Sequence, residues 1–501
     1  MSERRSQVVR HGRVLTAGAL SAAPLDFLIE DGRIREIGAP GMPAPADAEH
    51  IDAIDRLIIP GLVNSHTHAH GGLGKGAVSD RLPLEVFLTG SGALNGSRTL
   101  DDKYLSALLS AVEMVRKGCT AAYDLFVEYP VPSVEGVNAV ARAYRDVGMR
   151  AVIAPMMADR TLYQAYPGLV DALPEVQRET ARRAATAPWA ESLKACRTIL
   201  HNWSFDRDAI RPALGPTIPL HCSDDFLVGC RDLAREFDVG LQTHLAESAT
   251  QAAVARQRYG TSLTAHLAKL GVLGERFSAA HAIWIDRDDM QRIADAGGAI
   301  AHNPLSNLRL GSGLAAVRAM LECGLAVGIG TDATNTSDTQ NMFEAARLAA
   351  YLSRLRGTDY AQWLSADEAF TLATSGSARV LGFEGRLGTI APGAFADLVF
   401  LDLAHINYVP LRDALLQLVN GESGAAIDAV MVGGRFILRG GRLLKVDEAK
   451  LRRDAEAARE RLDNANESAL RLARALEDWV GAFCFAQARA PGLPRRRVDA
   501  D

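Results

Sequence analysis

The chain has 501 residues, 48% of them hydrophobic, with 55 Lys plus Arg against 60 Asp plus Glu and a net charge of −5. That length allows a large core, and an acidic balance without long basic runs argues against a nucleic-acid partner. The six cysteines are scattered without Cys-x-x-Cys spacing, which indicates neither a disulfide framework nor a thiolate zinc site.

From the start, Met-Ser-Glu-Arg-Arg is charged but lacks a following apolar run of signal-peptide length, and no stretch reaches the length of a membrane span. A cytoplasmic protein with no membrane association is expected. Residues 7–15, broken at His11-Gly12, and 27–37, folded about Glu30-Asp31-Gly32, read as short strands joined by tight turns. The same texture returns over 385–403 and 427–444, so a small sheet domain assembled from both ends is expected. Between them, short apolar runs alternate with amphipathic segments of helical length at 104–116, 137–147, 224–237, 263–270, 287–296 and 314–322. This alternation predicts an α/β fold with a parallel sheet and crossover helices, and the count suffices for a closed eight-stranded barrel. The expected units are a composite β-domain from 1–58 and 383–445, a barrel over 59–382, and a helical extension over 446–501. Within the extension, 446–480 reads as a charged helix for packing or dimerisation, and Pro494-Arg495-Arg496-Arg497 as a frayed end.

Four apolar runs end on residues of metal-ligand type: 57–63 before His66 and His68, 239–242 before His244, 277–280 before His281, and 326–330 before Asp332. Strand ends on one side of a barrel converge in space, so these groups can meet at one buried divalent cation. Imidazole and carboxylate donors suit Zn²⁺ and, less selectively, Fe²⁺, Co²⁺ or Mn²⁺. His66 and His68 stand two apart on a strand and so project to one side. His70 shares their register and is either a further ligand or a pocket group on the Gly-rich loop 71–76. Glu247, three residues after His244, is placed to carry protons between water, substrate and leaving group, or else sits in the first turn of a helix. His281 is a ligand or a partner of the attacking water. Asp332 can touch the metal and take up a proton, or cap the next helix.

Together, Pro60-Gly61-Leu62-Val63-Asn64-Ser65-His66-Thr67-His68, Thr243-His244-Leu245-Ala246-Glu247, Ala279-Ala280-His281, the stretch from Ala301 to Asn307 and Gly330-Thr331-Asp332 resemble the amidohydrolase superfamily. The similarity is closest to its triazine hydrolase and adenosylhomocysteine deaminase-like branch. It runs over about residues 7–445 and includes Asp80-Arg81-Leu82-Pro83-Leu84 and Asn341-Met342-Phe343-Glu344. The resemblance implies a distorted (β/α)8 barrel with a flanking β-sandwich. It implies His66, His68, His244 and Asp332 as ligands of one metal, most simply zinc, with Glu247, His281 and Asp332 as the working groups. Family analogy also favours a homo-oligomer, a dimer or tetramer, acting on a small molecule.

Many members of that superfamily bridge two metals with a carboxylated lysine on the fourth strand. Here that strand should lie within 210–223, which contains no lysine, so one metal is expected. His70, Phe87, His221, Asn303, Ser306 and Asn335 are substrate-pocket candidates by position. The reaction expected is hydrolysis of a C–N bond, or of a comparable leaving group, on a nitrogen-rich ring. Two departures weaken a nucleoside pocket: His221 is shifted from the usual Pro-His-x-Pro-Tyr position, and Phe87-Leu88-Thr89-Gly90 replaces a Trp-containing stretch that precedes a ribose-binding Glu. An amide, carbamate or phenylurea hydrolase is therefore the alternative within enzymes, and a noncatalytic scaffold of the same fold lies further off because every ligand position is kept.

Overall fold

In the computed structural model, which describes residues 6–16, 18 and 21–497, eight parallel strands run side by side in chain order. They are β1 Leu62–Thr67, β2 Cys119–Val127, β3 Arg150–Met157, β4 Ile210–Pro216, β5 Gly240–Leu245, β6 Phe277–His281, β7 Ala299–His302 and β8 Ala326–Ile329. Nearly every residue of these strands is buried, as expected where a parallel sheet is covered by crossover helices outside and packed side chains within. The sheet curls round until β8 reaches β1. There the backbone N–H groups of Thr331 and Asp332 both donate to the His66 carbonyl, at 3.2 and 2.9 Å. Glycine permits the approach: a Cβ on Gly330 would stand 2.8 Å from that carbonyl, and one on Gly328 2.7 Å from Ser377 Cα.

The crossover helices form where amphipathic segments follow capping residues. Ser223 accepts from the Phe226 N–H at the start of Asp224–Phe237, which ends on Asp238 in the left-handed region. Residues 314–322 were expected to be helical, but the helix is Val317–Glu322. Its start is delayed because Gly311 and Gly313 have positive φ and the Leu314 N–H donates to the Arg496 carbonyl instead of into a helix.

Two further sheets pack face to face beside the barrel. One is built from both ends of the chain, with Arg56–Pro60 paired to Leu398–Asp402; the other holds Ser6–Arg10, Asp26–Glu30, Arg33–Gly38 and Glu49–Asp52. Val9, Phe27, Ile29, Leu398, Phe400 and Met431 fill the space between them. The expected single run over 57–63 is divided at Gly61, so the chain enters the barrel just beyond the expected boundary at 58. Residues 385–396 are turns rather than a strand, apart from an isolated bridge between Phe395 and Arg33. Residues 1–5 and 498–501, at the outer limits of the expected units, lie outside the described residues.

The tail forms two helices, Glu448–Arg474 and Glu477–Gln487, which rest on Leu84–Leu94. The frayed end expected at 494–497 is not what the fold provides. Arg496 is buried and donates to the Ile283 and Ile285 carbonyls at 2.7 and 2.6 Å, because that turn leaves two acceptors unpaired. All six cysteines are buried and free, and among the described residues no helix is long and apolar enough to cross a membrane.

One buried ion pair joins barrel to sandwich. Arg150, at the start of β3, donates to both Asp397 oxygens at 2.8 and 3.1 Å and lies over the Phe395 ring, while the Gly433 N–H also donates to Asp397. Arg150→Met, which strands a buried carboxylate, is expected to lower unfolding free energy by ~3–5 kcal/mol. Adding Asp397→Leu should recover most of it. Urea denaturation of both variants checks this, and equal losses in the single and double variants would contradict it.

Candidate active site

At the C-terminal rim of the barrel four imidazoles face one another. His66 comes from β1, His68 follows its end, His244 lies in β5 and His281 ends β6. Each ring is oriented by an oxygen at Nδ1: Gln242 Oε1 for His66 at 2.7 Å, the Leu125 carbonyl for His68 at 2.5 Å, the Thr217 carbonyl for His244 at 2.6 Å, and Asn307 Oδ1 for His281 at 2.8 Å. A carbonyl can only accept, so Nδ1 of His68 and His244 carries the proton. Gln242 is fixed the same way for His66, because its Nε2 donates to the Ser65 carbonyl and Ser278 Oγ. The Nε2 lone pairs therefore point inward.

Those lone pairs lack partners of their own kind. Nε2 of His66 and of His281 is buried without a hydrogen-bond partner, and Nε2 of His68 stands 3.1 Å from Nε2 of His244. Two acceptor nitrogens at that separation repel unless something positive lies between them. Asp332, just beyond β8, adds a carboxylate with Oδ1 3.3 Å from His68 Nε2 and 3.9 Å from His66 Nε2, and Oδ2 3.8 Å from His281 Nε2. The donor atoms fall into overlapping groups, His66 with His244 and His281, His66 with His68 and Asp332, and His281 with Asp332 and Glu247, a set of imidazoles and carboxylates suited to a divalent cation.

Electrostatics supports the same assignment of protons. Burial, followed by the neighbouring histidines, pushes His66 well below its ordinary value and His244 down to about 3; burial also lowers His281. Burial raises Asp332, but positive charge at the facing histidine positions reverses this and holds its carboxyl below the usual range, a role that passes to a bound cation when the rings are neutral. Glu247 goes the other way: burial, then the charges of Asp332 and Glu85, raises it well above a normal carboxyl. Its Oε1 lies 3.7 Å from His281 Nδ1. The backbone is strained here too, with positive φ at Ala246, His281 and Asp332 (43°, 67° and 62°). Such conformations cost about 1–3 kcal/mol each and tend to occur where a side chain must be aimed.

A cleft opens onto this cluster, lined by Leu84, Phe87, Leu88 and Tyr129 on one side and Thr217, Ile218 and Leu310 on others. Of the expected pocket residues, His70, Phe87 and Asn335 line it. His70 is neutral, lowered by burial, and its Nδ1 accepts the Val127 N–H at 3.3 Å, which leaves Nε2–H for the cleft. The structure does not bring His221, Asn303 or Ser306 to the cleft. β4 ends at Pro216, and the turn Pro219–His221 carries His221 edge-on to Tyr166 instead. Asn303 is wedged under Gly330, with Oδ1 2.3 Å from where a Cβ would be, and Ser306 turns back to the Asn303 carbonyl. Sequence reasoning missed Gln242, although its place two residues before His244 on a buried strand puts it on the same face. It also missed Thr217, Tyr129, Met156 and Leu310, which line the cleft from loops and strand ends without a motif.

The model of the amidohydrolase family matches residues 57–437. A 5'-deoxyadenosine deaminase of Methanothermobacter thermautotrophicus is 32% identical over 91% of this chain and 98% of its own. A 5-methylthioadenosine/S-adenosylhomocysteine deaminase of Desulforudis audaxviator is 33% identical over 87% of this chain and 94% of its own. Among solved structures, an adenosine deaminase from Xanthomonas campestris with bound zinc superimposes with a TM-score of 0.81 at 26% identity, covering 92% of this chain and 99% of that one.

The orientation of His66 depends on Gln242, so Gln242→Leu should weaken divalent-metal binding by about 10–100-fold while the fold is kept. Competition with a chromogenic chelator measures this, and wild-type affinity in the variant would contradict it.

Proposed function

The chain belongs to the amidohydrolase family, and from that premise we propose that it is a mononuclear zinc enzyme that hydrolytically deaminates a nitrogen heterocycle, with 6-aminopurine compounds the first to be tried. As a family member it is a metal-dependent hydrolase of C–N bonds other than peptide bonds. The observation that carries the finer reading is the placement of two buried carboxyls on either side of His281, Glu247 3.7 Å from Nδ1 and Asp332 3.8 Å from Nε2, with surroundings that push Glu247 above and Asp332 below the ordinary carboxyl range. The deaminase names of the relatives support the same reaction class.

His66, His68, His244 and Asp332 are the residues that would hold the cation. When bound, it lowers the pKa of water from about 15.7 toward 7 and so supplies hydroxide at neutral pH. Glu247, protonated, donates to a ring nitrogen next to the amino-bearing carbon, which makes that carbon attackable. Asp332 accepts one proton of the attacking water and returns it to the departing amino group; the other, left on the new hydroxyl, passes back to Glu247 as ammonia leaves, so that the ring keeps the oxygen as a carbonyl and both carboxyls are restored. His281, its Nδ1 tied to Asn307, presents the Nε2 lone pair as an acceptor that orients the attacking water. The absence of lysine from β4 supports one metal over two. A homo-oligomer is part of the same proposal.

One observation favours a second reading, hydrolysis of an aryl amide, carbamate or phenylurea. The cleft wall of Leu84, Phe87, Leu88, Val127, Tyr129 and Met156 is largely apolar, and among the described residues no carboxylate other than Glu247 and Asp332 lines it to meet ribose hydroxyls. Ammonia release from 5'-deoxyadenosine, S-adenosylhomocysteine, aminopyrimidines, pterins and triazines, run beside amine release from anilides and phenylureas, separates the two. Glu247→Gln should retain its metal and lose about 10²–10⁴ in kcat on whichever substrate is turned over. Unchanged kcat would remove Glu247 as the proton carrier.

A further inference from the structure

Behind the catalytic cluster, on the far side of Asn307 from His281, lies a separate cavity of about 270 Å³. Leu314, Val317, Ala349, Leu352 and Trp363 supply its apolar wall, and two carboxylates also line it, each already engaged: Glu322 accepts from Arg287 and Asp359 from the Ala361 N–H. Two lining residues are deeply buried and polar. Asn307 is 2% exposed and His302 3%, and Asn307 Nδ2 and His302 Nδ1 have no hydrogen-bond partner. Leaving a buried donor unmade costs about 1–3 kcal/mol, so two such groups on one cavity point to something that satisfies them. At the exposed side of the same cavity stands Arg356, which makes none of the hydrogen bonds or ion pairs found among the described residues, although its neighbour Arg318 is committed to Glu368.

A cation at the mouth, aliphatic and aromatic walls between, and amide and imidazole groups at the base describe the complement of a small amphipathic acid. We propose that this cavity is an effector site for such an acid: a carboxylate paired with Arg356, an apolar body against Leu352 and Trp363, and a hydroxyl or carbonyl oxygen accepting from Asn307 Nδ2. The occupant acts on turnover because Asn307 is shared. Its Oδ1 holds His281 Nδ1 at 2.8 Å, so a ligand that fixes Nδ2 also fixes the amide plane on which the His281 ring depends. This site shares no lining residue with the catalytic cleft, and its coupling to chemistry rests on the role of His281 proposed above.

The test uses the zinc-loaded full chain and three probes: 4-hydroxyphenylacetate, phenylacetate without the hydroxyl, and 4-hydroxyphenylacetamide without the charge. Calorimetry should give saturable binding of the first and binding weaker by about tenfold for the other two, each lacking one anchor. Arg356→Ala should erase the preference for the charged probe with basal turnover unchanged, and Leu352→Trp, which fills the cavity, should abolish binding. Saturation should shift the ring-nitrogen resonances of His281 and change kcat at least about twofold with KM unmoved. Absence of binding at millimolar probe, binding indifferent to both substitutions, or competition with substrate would overturn the site. Binding that leaves the His281 resonances unmoved would overturn the coupling. Calorimetry and resonance need no turnover, so failure here is distinguishable from failure of the deaminase reading.

Discussion

The repulsion between inward-facing imidazole lone pairs is the constraint around which the rest of the structure is arranged. Nε2 of His68 and Nε2 of His244 stand 3.1 Å apart, each with its Nδ1 already donating to a main-chain carbonyl. Neither ring can turn to relieve the contact without breaking a buried hydrogen bond. Protonating one of them would resolve it, but burial and the neighbouring rings hold His244 down at about 3. A divalent cation held by both rings would relieve the contact, with the Asp332 carboxylate supplying part of the balancing charge.

Several features far apart in sequence serve that one arrangement. Gly330 lets β8 press against β1, and the His66 carbonyl then receives the Thr331 and Asp332 N–H groups, which seats Asp332 over the histidines. Positive φ at His281 and Asp332 aims both side chains into the cluster, at a conformational cost that the tightly packed barrel absorbs. Farther out, the tail helices brace Leu84–Leu94, whose Leu84, Phe87 and Leu88 line the cleft, and Arg496 fixes the turn after His281. The C-terminal extension thereby supports the site at two places.

Much of this is legible in the sequence. His66, His68, His244, His281 and Asp332 each stand at the end of an apolar run, and parallel strands in a barrel bring such ends together whatever the loops do. The hairpin at Glu30-Asp31-Gly32 and the helices at 224–237 and 287–296 follow from turn residues and apolar periodicity that nothing tertiary overrides. The orienting atoms were less accessible. Leu125 and Thr217 act through backbone carbonyls, and a carbonyl carries no signature of residue type. His221 misled because a three-residue turn after β4 rotates it away, and a turn of that kind changes side-chain direction without changing composition. The run at 57–63 hid a change of sheet at Gly61, since both halves are apolar and buried.

The most direct test of the central claim is metal stoichiometry and coordination in the purified chain, by native mass spectrometry together with zinc-edge X-ray absorption. The account predicts about one zinc per chain, surrounded by nitrogen and oxygen donors including three imidazoles, with no sulfur and no second metal at short range. Two bridged metals, sulfur donors, or a chain that takes up no divalent ion would contradict it.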